Sequence, residues 1–313
     1  MSSRGPQKGP KGGPRRPKSS GRGKGQPRNP RARSGAKGGR SRDGQRGTTP
    51  IRDGDAGQSK GESLGGDQVE GRHAVRELLM AGTRRTREVV LAGDLDPAPI
   101  LDEIIDLADE AKVTITEINR VKFESMTRTE GSQGVMALAQ PLRPTPLDDL
   151  LVPGFDGTLP FLLLLDGITD PGNLGAILRT AECAGVTGVV LPRHRAAHIT
   201  PTVAKAAAGA VEHLPMALVA GLPSAMKTLK AAGVWTVGLD AGGDRPIHDL
   251  AVAAEPVALV LGAEGPGLSR LVRERCDTVA SIPLLGVLDS LNVSAAAAVA
   301  CFEVARRRAA TST

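Results

Sequence analysis

Residues Phe161–Gly185 read FLLLLDGITDPGNLGAILRTAECAG, in which an unbroken apolar run leads into a polar turn and then into a helix. Two later stretches share this construction: LVLGAEGPGLSRL at Leu259–Leu271 and SIPLLGVLDSLNVSAAAAVACFEVARRR at Ser281–Arg308. Continuous apolar strands that alternate with helices are typical of a parallel sheet covered on both faces. Ligands of such sheets bind beyond the carboxyl ends of the strands, so we expect the three polar loops to form one site.

The alternation of strands and helices predicts two α/β units. The larger one, with a mainly parallel sheet, covers residues 160–313, and a smaller one of about 70 residues covers 67–141. Prolines are frequent and apolar residues few between the two units, which predicts a linker over 142–159.

The amino-terminal residues 1–66 are rich in Gly, Pro, Arg and Lys and almost free of apolar side chains, which predicts a disordered tail. The net charge of +6 is unevenly distributed along the chain. Residues 1–60 carry 17 Lys/Arg and 3 Asp, whereas residues 61–313 carry 23 Lys/Arg and 31 Asp/Glu. A tail of this kind favours phosphate contact, and a general solubilising role is the alternative.

Several classes of protein are disfavoured by composition. The three cysteines, Cys183, Cys276 and Cys301, are far apart, which predicts a reducing compartment, no disulfide framework and small buried side chains. The amino terminus lacks the apolar segment of a secretory signal, and no apolar run approaches the ~18 residues of a membrane span, so we expect a cytoplasmic protein. Four Phe, one Trp and no Tyr argue against a reader that stacks RNA bases on aromatic rings.

The first polar loop contains the turn Asp170-Pro171-Gly172, and we expect Asn173 to cap the helix that follows. Arg179 lies six residues further on, at the predicted edge of the buried face. Spacing alone favours a capped helix that carries an ordinary surface arginine.

The second loop, Gly262–Gly267, matches neither the G-x-G-x-x-G pattern nor a Walker loop, so nicotinamide and nucleoside-triphosphate binding lose support. Glu264 is its only acid and could simply cap the next helix. In the third loop Ser290 could cap the last helix, whereas Asn292 is expected to be buried and therefore to need partners. The Ala-rich start of that helix suits close packing within the chain or against a second subunit.

A basic cluster, Arg193-His194-Arg195, follows the second predicted strand of the larger unit and suits phosphate binding. His194 and His198 lie four residues apart, but no third ligand is nearby, so we predict no metal.

Taken together, the three loops resemble the signature motifs of the SpoU (TrmH-like) RNA 2'-O-ribose methyltransferases over about Glu70–Arg308. The resemblance implies a SPOUT-type sheet with a carboxyl-terminal trefoil knot, S-adenosylmethionine as the methyl donor, and a homodimer. It also implies site residues in three roles: catalytic Asn173, Arg179, Glu264, Ser290 and Asn292; cofactor-binding Gly262, Ile282 and Leu291; and substrate-binding Arg195.

The smaller unit resembles the ribosomal-protein-like RNA-binding domain of the two-domain branch, which implies methylation of a guanosine in 23S rRNA. A tRNA methyltransferase and a non-catalytic RNA-binding factor with a methyltransferase-like domain are the alternatives. One departure is that Ser132-Gln133-Gly134 stands where that branch often has His-Gln-Gly, so we assign no residue of the smaller unit to the site.

Overall fold

The structure, a computed structural model, describes residues 63–194 and 198–311. Most of the predicted tail and Arg195 therefore lie outside the described residues. Within the described part of the chain, no helix is long and apolar enough to cross a membrane.

The smaller α/β domain is a four-stranded sheet with helices on both faces. Its elements are β1 Gln68–Glu70, α1 Arg72–Ala81, β2 Thr86–Ala92, α2 Pro99–Glu110, β3 Thr114–Ile118, α3 Arg120–Met126 and β4 Val135–Ala139. The strand order is β1-β4-β2-β3, with β4 antiparallel to both of its neighbours and β2 parallel to β3. Helices α1 and α2 cover one face, and α3 places Phe123 on the other.

The larger domain is built on a seven-stranded sheet in which every pairing is parallel. Its elements are β5 Phe161–Asp166, α4 Pro171–Cys183, β6 Gly188–Pro192, α5 Pro201–Ala206, β7 Met216–Val219, α6 Leu222–Ala231, β8 Trp235–Leu239, β9 Arg245–Pro246, β10 Val257–Gly262, α7 Arg270–Arg275, β11 Thr278–Ser281 and α8 Val293–Thr311. Helices α4, α5 and α8 pack on one face and α6 and α7 on the other, which confirms the predicted α/β class.

The strand order β7-β6-β5-β10-β8-β11-β9 places the ends of the loop-bearing strands together. Strand β10 lies between β5 and β8, and β11 lies on the other side of β8. The polar loops that follow β5, β10 and β11 therefore leave the same edge of the sheet within three strand positions. The trefoil knot stays a prediction from the resemblance.

The predicted domain boundaries stay a prediction, and the structure adds two details near them. Order begins before residue 67, because Leu64 is only 3% exposed and its backbone N–H donates to the carbonyl of Leu142 at 3.0 Å. The predicted linker 142–159 contains a 3-10 helix, Leu147–Leu151, whose Leu150 is buried in the core of the larger domain. One or two apolar side chains fix each segment, which is too weak a signal for composition to reveal.

Candidate active site

The carboxyl ends of β8, β10 and β11 open into a cavity of about 490 Å³. Its lining comes from the end of β8 and from the second and third polar loops: Leu239, Asp240, Ala241, Leu261, Gly262, Ala263, Glu264, Gly265, Pro266, Gly267, Ile282, Leu284, Asp289, Ser290, Leu291, Asn292, Val293 and Ala296. Six of the predicted site residues are therefore brought to one cavity: Gly262, Glu264, Ile282, Ser290, Leu291 and Asn292.

The second loop is a tight hairpin, in which Ala263 and Gly267 exchange backbone hydrogen bonds of 3.0 and 2.9 Å. Gly265 and Gly267 have φ angles of 84° and 70°, which favour glycine. A Cβ at Gly262 would lie 2.1 Å from the carbonyl carbon of Gly267. The fold of the loop therefore requires glycine at position 262, independently of any contact that the Gly262 backbone makes with a ligand.

The sequence suggested that Asn173 caps α4, but the structure shows that it does not. The cap is Asp170, whose Oδ1 accepts a 2.7 Å hydrogen bond from the Asn173 backbone N–H. Asn173 is the third residue of the helix, and its side chain points across to the other two loops. Its Nδ2 donates to Glu264 Oε2 at 3.0 Å, and its Oδ1 accepts from Asn292 Nδ2 at 2.9 Å.

Asn292 is exposed rather than buried, and it performs the capping expected of Ser290. It directly precedes α8, and its Oδ1 accepts from the Ser294 backbone N–H at 2.8 Å and from Ser294 Oγ at 2.6 Å. Because these donors occupy Oδ1, the other end of the side-chain amide, Nδ2, faces Asn173. Asn292 therefore donates to Asn173, and Asn173 donates to the carboxylate of Glu264. We call these two hydrogen bonds the amide chain Asn292–Asn173–Glu264, and they link all three loops.

Glu264 is exposed and does not cap a helix, since α7 begins only at Arg270. Its carboxylate accepts from the amide of Asn173 and so ties the second loop to the first. Ser290, Leu291 and Ile282 line the cavity beside this chain of amides.

The two predicted site arginines, catalytic Arg179 and substrate-binding Arg195, are not among the residues that line the cavity. Arg179 is exposed on α4 and forms no hydrogen bond or ion pair with any residue in 63–194 or 198–311. Arg195 lies outside the described residues. Among the described residues no group of three His, Cys, Asp or Glu side chains could hold a metal ion.

Sequence reasoning missed the contribution of β8, which brings Leu239, Asp240 and Ala241 to the cavity. Asp240 Oδ1 accepts a hydrogen bond from the Gly242 N–H at 2.9 Å and pairs with Arg273 at 2.8 Å. The signal was present, because Asp240 ends a predicted apolar strand in the same way as Asp166 ends β5.

The cysteines are not suited to nucleophilic chemistry. Burial raises the pKa of the Cys276 and Cys301 thiols to about 12. Cys183 is exposed, contrary to the expectation that all three are buried, and its pKa is also raised, chiefly by desolvation.

The size and lining of the cavity suit a ligand of nucleoside size. Ligand pockets are typically about 300–1,000 Å³, with apolar walls and a few fixed polar groups. Here Leu239, Ile282 and Leu291 supply apolar wall, while Glu264 and Asn292 are held in position by hydrogen bonds.

Comparison with known proteins agrees with this geometry. Residues 160–302 match the model of the SpoU rRNA Methylase family, and residues 68–145 match that of RNA 2'-O ribose methyltransferase substrate binding. The chain is 37% identical to a "Putative TrmH family tRNA/rRNA methyltransferase" of Staphylococcus saprophyticus over 77% of this chain and 95% of that protein. It is 40% identical to the "23S rRNA (guanosine-2'-O-)-methyltransferase RlmB" of Photorhabdus laumondii over 77% and 98%.

Two solved methyltransferase structures are also similar to this chain. The SpoU methyltransferase AviRb from Streptomyces viridochromogenes in complex with AdoMet is 26% identical, with a TM-score of 0.64 over 77% of this chain and 90% of that one. The AdoMet-bound rRNA methyltransferase from Sinorhizobium meliloti is 26% identical, with a TM-score of 0.63 over 77% and 87%.

Proposed function

Because this chain belongs to the SpoU family of S-adenosylmethionine-dependent RNA 2'-O-ribose methyltransferases, we propose that it methylates the 2'-hydroxyl of a guanosine in 23S rRNA. The observation that carries the proposal is the amide chain Asn292–Asn173–Glu264, which fastens three loops around one cavity. Because these hydrogen bonds hold the loops in place before ligands bind, less conformational entropy is lost on binding.

In this proposal the cavity holds the methyl donor. Bound S-adenosylmethionine supplies an electrophilic methyl group on a sulfonium. The backbone of Gly262 and the side chains of Ile282 and Leu291 form the wall against it. Glu264 ties the second loop to the first through Asn173, and Ser290 and Asn292 would offer polar groups to the bound donor.

The arginines act on the RNA. A guanidinium has a pKa above about 12 and is a poor proton acceptor, so we assign Arg179 to bidentate contact with a backbone phosphate. Arg195 follows β6 and supplies a second phosphate contact. Methyl transfer is an in-line displacement, so positioning of the ribose supplies much of the rate, and the phosphate or water accepts the hydroxyl proton.

The choice of 23S rRNA rests on the two-domain organisation and on the relative from Photorhabdus laumondii, whose name specifies that substrate. A tRNA substrate is the alternative that the name of the Staphylococcus saprophyticus relative keeps open. A non-catalytic RNA-binding role is disfavoured by the intact hydrogen bonds of Asn173, Glu264 and Asn292.

The test is to map 2'-O-methyl groups in cellular RNA with and without the gene. We expect one guanosine of 23S rRNA to lose its methyl group and to regain it when the wild-type gene is restored. Asn292→Ala should not restore it, because that change removes both the bond to Asn173 and the cap of α8. A methyl group lost from tRNA instead would replace the rRNA assignment, and an unchanged map would remove the catalytic proposal.

We also propose a homodimer that covers the third loop and α8. Leu285, Val287 and Leu288 are 80–102% exposed, and Phe302 of α8 is half exposed. Large apolar side chains exposed together mark interaction surfaces. Light scattering should give twice the monomer mass, and Phe302→Glu should yield a folded monomer; a wild-type monomer with full activity would contradict the proposal.

A further inference from the structure

The chain enters and leaves the smaller domain at one place on the larger domain. Leu64 precedes β1 and Leu142 follows β4, and both side chains belong to the hydrophobic core of the larger domain. Their backbones are hydrogen-bonded to each other at 3.0 Å, and the Ile199 N–H donates to the Leu64 carbonyl at 2.9 Å. The smaller domain is thus fastened at both of its ends.

A buried ion pair joins the two domains beside this crossing. Arg84, which precedes β2, is 7% exposed in its side chain, and the side chain of Glu212, which precedes β7, is 0% exposed. The contact is bidentate, with Arg84 Nη2 donating to Glu212 Oε1 at 2.6 Å and Arg84 Nε to Oε2 at 2.8 Å. Arg84 Nη1 also donates to the carbonyls of Gly66 and Gln140, at the two ends of the smaller domain.

Further contacts cross the same junction. His213 Nε2 and Glu77 Oε2 lie 2.9 Å apart. A Cβ at Gly209 would lie 2.4 Å from the Glu77 Cβ, so α1 packs directly on the backbone of the larger domain. Lys205 of α5 donates to the carbonyl of Glu130 in the loop before β4. The junction between the domains is therefore made of several contacts besides the ion pair.

We propose that Arg84 and Glu212 lock the two domains into one rigid body, so that the smaller domain sets the position of the RNA relative to the cofactor cavity. The inference rests on the proposed function. Two charges withdrawn from water remain favourable only when each is fully satisfied, so this bidentate pair holds a single arrangement of the domains. A fixed arrangement removes the cost of ordering one domain against the other when RNA spans both. Arg84 and Glu212 are accordingly positioning residues.

The test compares Arg84→Met with the double variant Arg84→Met/Glu212→Leu in the full-length chain. The single variant leaves a buried carboxylate without its partner and should weaken docking of the domains by about a hundredfold or more. We expect a larger maximum dimension in small-angle scattering and faster proteolysis where the chain crosses between the domains, beside Gly66 and Gln140. We also expect a KM for RNA raised about tenfold or more, with S-adenosylmethionine affinity unchanged. The double variant removes both charges and keeps an apolar contact, although the Gly66 and Gln140 carbonyls still lack the Nη1 donor. Relative to Arg84→Met, docking should therefore recover at least about tenfold and KM at least about threefold.

The matched control is Arg120→Met, which breaks an exposed pair with Asp94 inside the smaller domain and should change none of these readouts. If the double variant docks but keeps the raised KM, Arg84 contacts RNA as a cation and the proposal is wrong. Undocking without any change in KM for RNA would also overturn it. Failure of the wild-type chain to methylate rRNA would instead remove the proposed function, while scattering and proteolysis would still report on the lock.

Discussion

Asn173→Asp tests whether the amide chain organises the cofactor cavity. The substitution keeps the size of the side chain and its acceptor for Asn292 Nδ2, but it replaces the donor that faces Glu264 by a second carboxylate oxygen. The hydrogen bond that disappears has a charged acceptor at 3.0 Å, and such bonds contribute about 1.5–3 kcal/mol. Because Glu264 is exposed, we take the lower value and add about 0.5 kcal/mol for screened repulsion between the carboxylates.

A change of about 2 kcal/mol corresponds to a decrease of about thirtyfold in affinity for S-adenosylmethionine, measured by titration calorimetry. Thermal unfolding followed by circular dichroism shows whether the variant keeps its fold.

Two further variants make the test specific. Asn119→Asp is the matched control, because Asn119 caps α3 by accepting from the Lys122 N–H, and a carboxylate caps equally well. Asn173→Asp/Glu264→Gln should recover affinity to within about threefold, since a Gln amide at 264 can donate to Asp and restore the bond with its direction reversed. Wild-type affinity in folded Asn173→Asp, or no recovery in the double variant, would refute the reasoning.

Four other changes follow from the sequence and the described hydrogen bonds. Arg179→Lys should reduce RNA turnover at least about tenfold without altering methyl-donor affinity, because lysine cannot hold a phosphate bidentately; near-normal turnover would contradict this role. Deleting residues 1–60, which spares the ordered segment from Leu64, should flatten the salt dependence of RNA binding by about 0.9 in slope for each duplex phosphate that the tail neutralises. Arg308→Met should lower stability by about 3 kcal/mol in thermal unfolding, since the half-buried guanidinium donates to four backbone carbonyls. Hydrogen bonds from Arg306 hold the pKa of Glu303 at about 2, so its contribution to stability is present above about pH 4.5 and is lost as the pH falls toward 2; Glu303→Gln should flatten acid unfolding in that window.

Local patterns predicted the strands well where burial is continuous. Strands β5, β6 and β10 begin and end where the sequence places them, because each is an unbroken apolar run that is buried on both faces. Strand β7 was predicted at 213–217 but lies at Met216–Val219, since residues 210–212 form a 3-10 turn that the apolar pattern cannot distinguish from extended chain. Helix α8 begins two residues later than predicted because the side chain of Asn292 takes the cap.

Interactions between distant parts of the chain were the least predictable. Arg84 and Glu212 are separated by 128 residues, and neither has a distinctive neighbour. Each looks like an ordinary surface charge, and only the packing of α1 on the larger domain buries them together. The packing of the predicted linker was hidden for the same reason, because a proline-rich segment can be either flexible or fixed, and the burial of Leu150 fixes part of it on the larger domain.

The convergence of the three loops follows from sheet register rather than from the loops themselves. Gly262 is paired with Asp166, and Leu261 is paired with Leu239, so β5, β10 and β8 end at the same level. Neighbouring strands are about 4.8 Å apart, so the first two loops start side by side. The third loop follows β11, which pairs with β8 through Ala280 and Leu239 and therefore lies two strands beyond β10. Asn173, three residues beyond the Asp170 cap, spans the remaining gap between α4 and the second loop. The strand order β5-β10-β8-β11 thus brings three separate sequence motifs to one edge of the sheet, and the amide chain joins them there.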